Sequence, residues 1–394
     1  DVGTFDPRRP VFSRSDHLIA GVNAGRQILG AGDLLPDPRR NPETGINESI
    51  IGTGFWYLGE ATHAPVDVLG DQASRVDNQL DVMAKTFLGI PLACARCHDH
   101  KFDPFKQVEF YRMFAFFNQA DEPRVETPTD AEVRARAAHD AKVNALQKKM
   151  DGAEKDTDER KKLEKELTLL KKKRPGVTTA LVMRQRKSLR RTFRFVKGNF
   201  TRPSEEVQPG VPAVLHPFPN QEKANRLDFA RWVASHKNPL LARVTVNRMW
   251  QHHFGSGLVE TENDFGTQGT PPTNHALLDW LATEFIRRKW DVKAMHKLIV
   301  TSATYRQSST ISGNFAKIDS NNRYLWRMNR RRLEAEELRD AILAVSGAMN
   351  KTMGGPGFYL FVLEKTAHSP HYEYHKFNPA DPKSHRRSVY RFIA

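Results

Sequence analysis

Apolar side chains recur at helical spacing through most of this chain. Val76, Leu80, Met83 and Phe87 fall at i, i+4, i+7 and i+11, a stripe that predicts a helix over 74–89 ending at Gly89. Val108, Phe110, Tyr111, Met113, Phe114 and Phe117 predict a second, aromatic helix. Residues 129–175 are densely charged, with Val143, Leu146, Met150 and Ala153 on one arm and Leu163, Leu167 and Leu170 on the other. That pattern reads as a helical hairpin turning around 151–158 and ended by Pro175-Gly176. Downstream, Asn225 caps a helix with Leu227, Ala230, Trp232 and Val233, and Asn238-Pro239 opens one that carries Leu241, Val244, Trp250 and Phe254 to Gly255. Thr273 begins a third with Leu277, Leu278, Leu281 and Phe285, and residues 292–301 and 333–349 add two more. Only 191–197, where Arg and Phe alternate, reads as a strand, before the Pro/Gly-rich loop 202–219. The expectation is a mainly α protein in three parts. These are residues 1–128, irregular through Asn47, the charged hairpin insertion 129–175, and a mostly helical domain 176–394 with few short strands. No repeat of fixed period is present.

With 394 residues, 39% of them hydrophobic, the chain has core enough for two or three domains and is neither disordered nor fibrous. No run approaches the ~18 apolar residues of a membrane-spanning helix. The chain opens at Asp1 without a charged-then-apolar leader and reads as trimmed from something longer. Lys+Arg 61 against Asp+Glu 46 gives a net charge of +15. Part of it is a run without an acidic residue: Arg184, Arg186, Lys187, Arg190, Arg191, Arg194 and Lys197. Such a run either binds an anionic polysaccharide or an acidic redox partner, or is a solvated face around the strand. No nucleic-acid-binding signature accompanies it, and nucleic acid is not expected as a partner. The hairpin is likewise either a solvated spacer or an arm that docks a protein partner.

Both cysteines of the chain stand in Cys94-Ala95-Arg96-Cys97-His98. Two thiols three residues apart reach both vinyl groups of one haem as thioethers, and the following histidine falls under the iron as proximal ligand. Attachment of this kind takes place outside the cytoplasm, so the motif also implies a periplasmic or otherwise exported protein. Three other readings use the same residues. They are a redox dithiol, a disulfide or inert pair, and a zinc site completed by His371 and His375 from His371-Tyr372-Glu373-Tyr374-His375.

Residues 77–81, Phe87-Leu88-Gly89 and the run from Cys94 through His98-Asp99-His100-Lys101-Phe102-Asp103-Pro104 resemble the planctomycete cytochrome-like domain of unknown function. The segments 238–255, Asp264-Phe265-Gly266-Thr267-Gln268-Gly269, 296–307 and 330–340 resemble the planctomycete-specific domain that accompanies it. The resemblance implies one covalent haem c and an exported location, and no settled reaction. It also implies flanking regions on both sides of this chain, and a connection shorter and less charged than 129–174.

The group opposite the iron decides what such a haem does. Met113, Met83 and His63 are candidates, as are Tyr111, His275 and His296, while His100 and Lys101 are placed to contact the haem itself, His100 at a propionate. Two protein ligands give an electron carrier; an open position under polar groups gives an oxidising centre, for which His252, His253, Arg248, Tyr305 and Arg306 are the candidate catalytic groups. The expected function is therefore haem-based electron transfer or oxidation, linked to a redox partner or an anionic polysaccharide. The alternatives are a carbohydrate-processing enzyme with an auxiliary haem and a zinc-stabilised scaffold.

Overall fold

The structure, a computed structural model, describes residues 34–42, 45–57, 65–154, 157–219, 224–352, 357–365 and 370–392. The chain divides into two compact units, Asp1–Met328 and Asn329–Ala394, with the break inside the stretch 176–394. Helices dominate, and the described strands form four two-stranded antiparallel ribbons, so the fold is mainly α. None of the described helices is long and apolar enough to cross a membrane.

In the first unit, α1 (Val68–Met83) starts earlier than its apolar stripe, because the Asp67 side chain accepts the Gly70 N–H at 2.9 Å. Val76, Leu80 and Met83 are buried. The helix then widens into a π turn over Ala84–Leu88 and stops at Gly89, whose φ is +60°. A Cβ at Gly89 would stand 2.8 Å from Phe265 and Val244, so conformation and packing both select glycine. Next, α2 (Gln107–Asn118) turns Phe110, Tyr111, Met113, Phe114, Phe116 and Phe117 wholly inward, each at most 2% exposed. Phe116 stacks on Phe229 at 4.7 Å, and Phe117 meets Trp56 edge-on at 5.0 Å. These rings are core: they cover one another.

The strands β1 (Ala120–Asp121) and β2 (Arg124–Glu126) pair with β4 (Arg184–Gln185) and β3 (Thr179–Leu181) respectively. Between β2 and β3 run α3 (Asp130–Gly152) and α4 (Asp158–Lys172), so the charged hairpin leaves and re-enters the fold through one ribbon. Thr129 and Glu132 close a capping box at its start. Its seam is thin. Leu167 is buried, His139 Nε2 donates to the Leu170 carbonyl at 2.9 Å, and the remaining seam residues are half-buried. A further ribbon joins β5 (Thr192–Phe195) to β6 (Pro203–Val207).

Helix α5 (Arg226–Val233) adds Phe229 and Trp232 to the core of α1 and α2. A second core forms among α6 (Leu241–Phe254), α7 (His275–Arg287) and α8 (Val292–Val300), around Trp250, Phe254, Leu281, Phe285 and Met295. The two cores meet at the π turn, where the Phe265 N–H donates to the Gly89 carbonyl at 2.7 Å. The second unit holds α9 (Ala335–Val345) and the ribbon of β7 (Val362–Lys365) with β8 (Pro370–Glu373), gathered on Phe361 with Tyr372, Tyr374 and Phe392.

Candidate functional site

Past Gly89, Leu92–Arg96 forms a 3₁₀ turn with Cys97 as its cap. Leu92 and Ala95 are buried and anchor the turn, while Cys94 and Cys97 are exposed and unbonded. At three residues per turn, positions i and i+3 eclipse, so both cysteines stand on one face. His98 follows, exposed, with Nδ1 2.7 Å from the Asp99 carbonyl. A carbonyl oxygen only accepts, so Nδ1 donates, and in the neutral ring Nε2 is the nitrogen whose lone pair can ligate a metal.

Three elements grip this turn. From α2, the Tyr111 hydroxyl and Gln107 Nε2 both donate to the Arg96 carbonyl, at 3.0 and 2.9 Å. From α1, Asp77 pairs with Arg96 Nε at 2.9 Å. From the turn between β5 and β6, Gly198 (φ +72°) lies so close that a Cβ would stand 2.8 Å from Cys97 Sγ. The Asp99 carboxylate in turn accepts the Gln107 N–H at 2.8 Å at the start of α2. Burial pushes the Asp77 carboxyl up to about 6 against the pull of Arg96, and its Oδ1 has no hydrogen-bond partner. Burial also raises the Tyr111 phenol, with Asp77 adding to the shift.

The rest of the motif is tied inward. His100, with 4% of its side chain exposed, accepts the Asp103 N–H on Nδ1 at 2.8 Å. Asp103 Oδ1 accepts the Thr267 N–H and hydroxyl at 2.7 and 2.9 Å, joining the loop to Gly266-Thr267. Lys101 lies over the Phe102 ring, 5.1 Å from its centre. Behind Thr267 opens a cleft of about 440 Å³, lined among others by Arg243, Phe265, Thr270, His275 and Asp279.

The other candidates sit elsewhere. Met83 and Met113 are 0% exposed in the first core, and His63 lies outside the described residues. Arg248 donates to the carbonyls of Thr86 and Lys85 and to Asn263 Oδ1, at 2.5, 2.8 and 3.0 Å. His253 Nε2 meets His296 Nδ1 at 2.8 Å, edge-on to Tyr305, while His252 and Arg306 are exposed. That cluster stands on α6, α8 and the turn Ala303–Arg306, none of which holds the Cys94–His98 turn. His371 and His375 are exposed in the second unit. Among the described residues no three of His, Cys, Asp and Glu gather into a set that could hold a metal ion.

Two family models match the chain. Residues 26–122 match PSCyt2, described as a protein of unknown function (DUF1549), and residues 225–394 match PSD1, described as a protein of unknown function (DUF1553). No curated protein and no solved structure matches. The PSCyt2 stretch contains α1, the cysteine turn and α2, and the hairpin α3–α4 lies between the two matched stretches. The PSD1 stretch begins at α5, whose Phe229 and Trp232 complete the core of the PSCyt2 part. Packing therefore crosses the boundary between the two matches.

The grip on the turn was half legible. Asp77 and Asp81, four apart beside an apolar stripe, mark a face of α1 with its own business; Gln107, the Tyr111 hydroxyl and Gly198 carry no such mark, since each acts on Arg96 or Cys97 only once the chain has folded.

Proposed function

We propose that this protein is an exported c-type haem protein that carries electrons, with Cys94 and Cys97 as thioether anchors and His98 as proximal ligand. The observation that carries the reading is the state of His98, exposed beside two free thiols on one face, with Nδ1 committed to the Asp99 carbonyl and Nε2 free. When bound, the haem supplies a one-electron couple at its iron. The chain's own residues do the rest. Asp99 fixes the imidazole tautomer and orientation. Tyr111, Gln107 and Asp77 hold the Arg96 backbone and side chain, so the turn is pre-formed before anything attaches. The exposure of Cys94, Cys97 and His98 favours exchange with a docking redox partner over a deeply enclosed reaction.

A second reading, a carbohydrate-processing enzyme with an auxiliary haem, draws on the cleft behind Thr267, which offers Arg243, His275 and Asp279 beside apolar walls. A reducing-sugar assay on sulfated glycans tests it, and no product from any of them removes it.

The test of the first reading is an absorption spectrum, oxidised and dithionite-reduced, with a pyridine haemochrome on protein made in a host that attaches haem c. Sharp reduced bands and haem that survives denaturing electrophoresis are expected from the wild type and lost from Cys94→Ser with Cys97→Ser. A colourless wild-type protein overturns the assignment.

A further inference from the structure

The cleft behind Thr267 holds an ion pair that is only half made. Arg243, in the first turn of α6, donates from Nε to Oδ1 of Asp279 on α7 at 2.7 Å, and its Nη1 turns back to the Pro239 carbonyl. A guanidinium and a carboxylate can share two parallel hydrogen bonds, and this pair makes one. Among the described residues nothing accepts from Arg243 Nη2 and nothing donates to Asp279 Oδ2. A donor and an acceptor are thus left open beside each other on the cleft wall, on side chains 36% and 53% exposed. His275, exposed at the start of α7, adds to this polar side, while Leu240, Phe265 and Leu278 with Pro271 and Pro272 make an apolar one. The walls are tied down: the Phe265 N–H is on the Gly89 carbonyl, and Thr267 is held by Asp103. The volume of about 440 Å³ is that of a small-molecule site.

We infer that this cleft binds a neutral sugar residue, with adjacent hydroxyls on Asp279 Oδ2 and Arg243 Nη2 and a C–H face on the apolar wall. The occupant follows from the charges. Arg243 holds the Asp279 carboxyl below its ordinary value, so the pair stays ionised and its charges cancel. A sulfate or carboxylate would have to displace Asp279 from Arg243, and a cation would have to do the reverse. A hydroxyl both donates and accepts through one atom, so two neighbouring hydroxyls satisfy both open positions and leave the pair intact. The inference rests on the cleft of the second reading above and goes beyond it, since it names an uncharged ligand and requires recognition, with or without cleavage.

Saturation-transfer difference NMR on the full chain tests this, with neutral gluco-, manno-, galacto- and xylo-oligosaccharides as probes. At least one of them should take up saturation from the wild type. That signal should fall several-fold in Asp279→Ala and in Arg243→Met, while Asp158→Ala, fully exposed on the hairpin, keeps it. A part-exposed pair of this kind adds little to stability, so an unchanged thermal midpoint in either variant separates lost recognition from lost fold. An equal concentration of a sulfated oligosaccharide should leave the neutral signal in place. No saturation of any neutral probe, a signal unchanged in both variants, or its displacement by the sulfated sugar overturns the inference. The second reading fails separately: a neutral probe that binds and releases no reducing sugar removes catalysis and leaves recognition standing.

Discussion

At the scale of single residues, the turn is held by groups whose energetics oppose one another. Asp77 gains Arg96 but loses water, and the loss is larger, so its folded value of about 6 lies above the ordinary carboxylate value of 3.8. Between those two values the folded protein holds a proton that the unfolded chain has released. Stability contributed at this site therefore falls as pH rises from about 4 to about 6 and is flat above, by roughly 2 to 3 kcal/mol in total at 1.36 kcal/mol per unit. Asp77→Asn carries no such titration. Denaturant unfolding at pH 4, 5, 6 and 7 should show the variant gaining on wild type across that window; parallel pH profiles would refute the burial argument. Gly198 is constrained twice, by φ +72° and by Cys97 Sγ. Gly198→Ala should cost about 1–2 kcal/mol from the left-handed backbone alone. The added methyl also displaces the thiol outward, so in a Cys94→Ser background Cys97 should react faster with a thiol reagent than it does beside Gly198.

Elements were legible where the signal was local. The stripe of α1, the arms of α3 and α4, the strand near Phe193 and the caps at Asn225 and Gly255 are all written in neighbouring residues, and the structure has each of them. What the chain does at longer range was not legible. Nothing in Ala84–Leu88 announces a π turn, whose Lys85 and Thr86 carbonyls accept from Arg248, more than 160 residues away. Nor does the aromatic pattern of α2 say that its rings face Trp56 and Phe229. The cysteine turn was legible because its five residues are contiguous; its support was not, because that support is spread over α1, α2 and the β5–β6 turn. Arg248 itself, a candidate catalytic group by sequence, is half-buried between two main-chain carbonyls and Asn263. Lysine cannot reproduce this fork. Arg248→Lys should cost roughly 2–3 kcal/mol through the charged hydrogen bonds and the orphaned carbonyls, read as a lower unfolding midpoint, with the thiol reactivity of Cys94 and Cys97 unchanged. A variant as stable as wild type would show that the π turn stands without it.

Across the whole molecule, the charge of +15 overstates what the basic run offers a polyanion. Arg186 and Arg190 both bind Asp121, at 2.6 and 2.7 Å, Arg191 binds Glu206 and Arg194 binds Glu205. The Arg194 guanidinium, helped by the Ser204 hydroxyl, holds Glu205 down to about 2, so the pairing persists at any working pH. Only Arg184, Lys187 and Lys197 of the run are exposed without a carboxylate partner among the described residues. If association with an anionic polymer depends on free cations, releasing the paired ones should strengthen it. Glu205→Gln with Glu206→Gln should elute from an immobilised sulfated polysaccharide at higher salt than wild type. It should also elute later than Glu164→Gln with Glu166→Gln, which changes the net charge equally on the exposed face of the hairpin. Replacing both partners of each pair, Arg191, Arg194, Glu205 and Glu206 all by Gln, leaves the net charge unchanged and by the same logic should barely move the elution, since those charges are already spent on each other. Early elution of that last variant would mean that the ribbon gives up its ion pairs to the polymer, and the basic strand would then be a binding face after all.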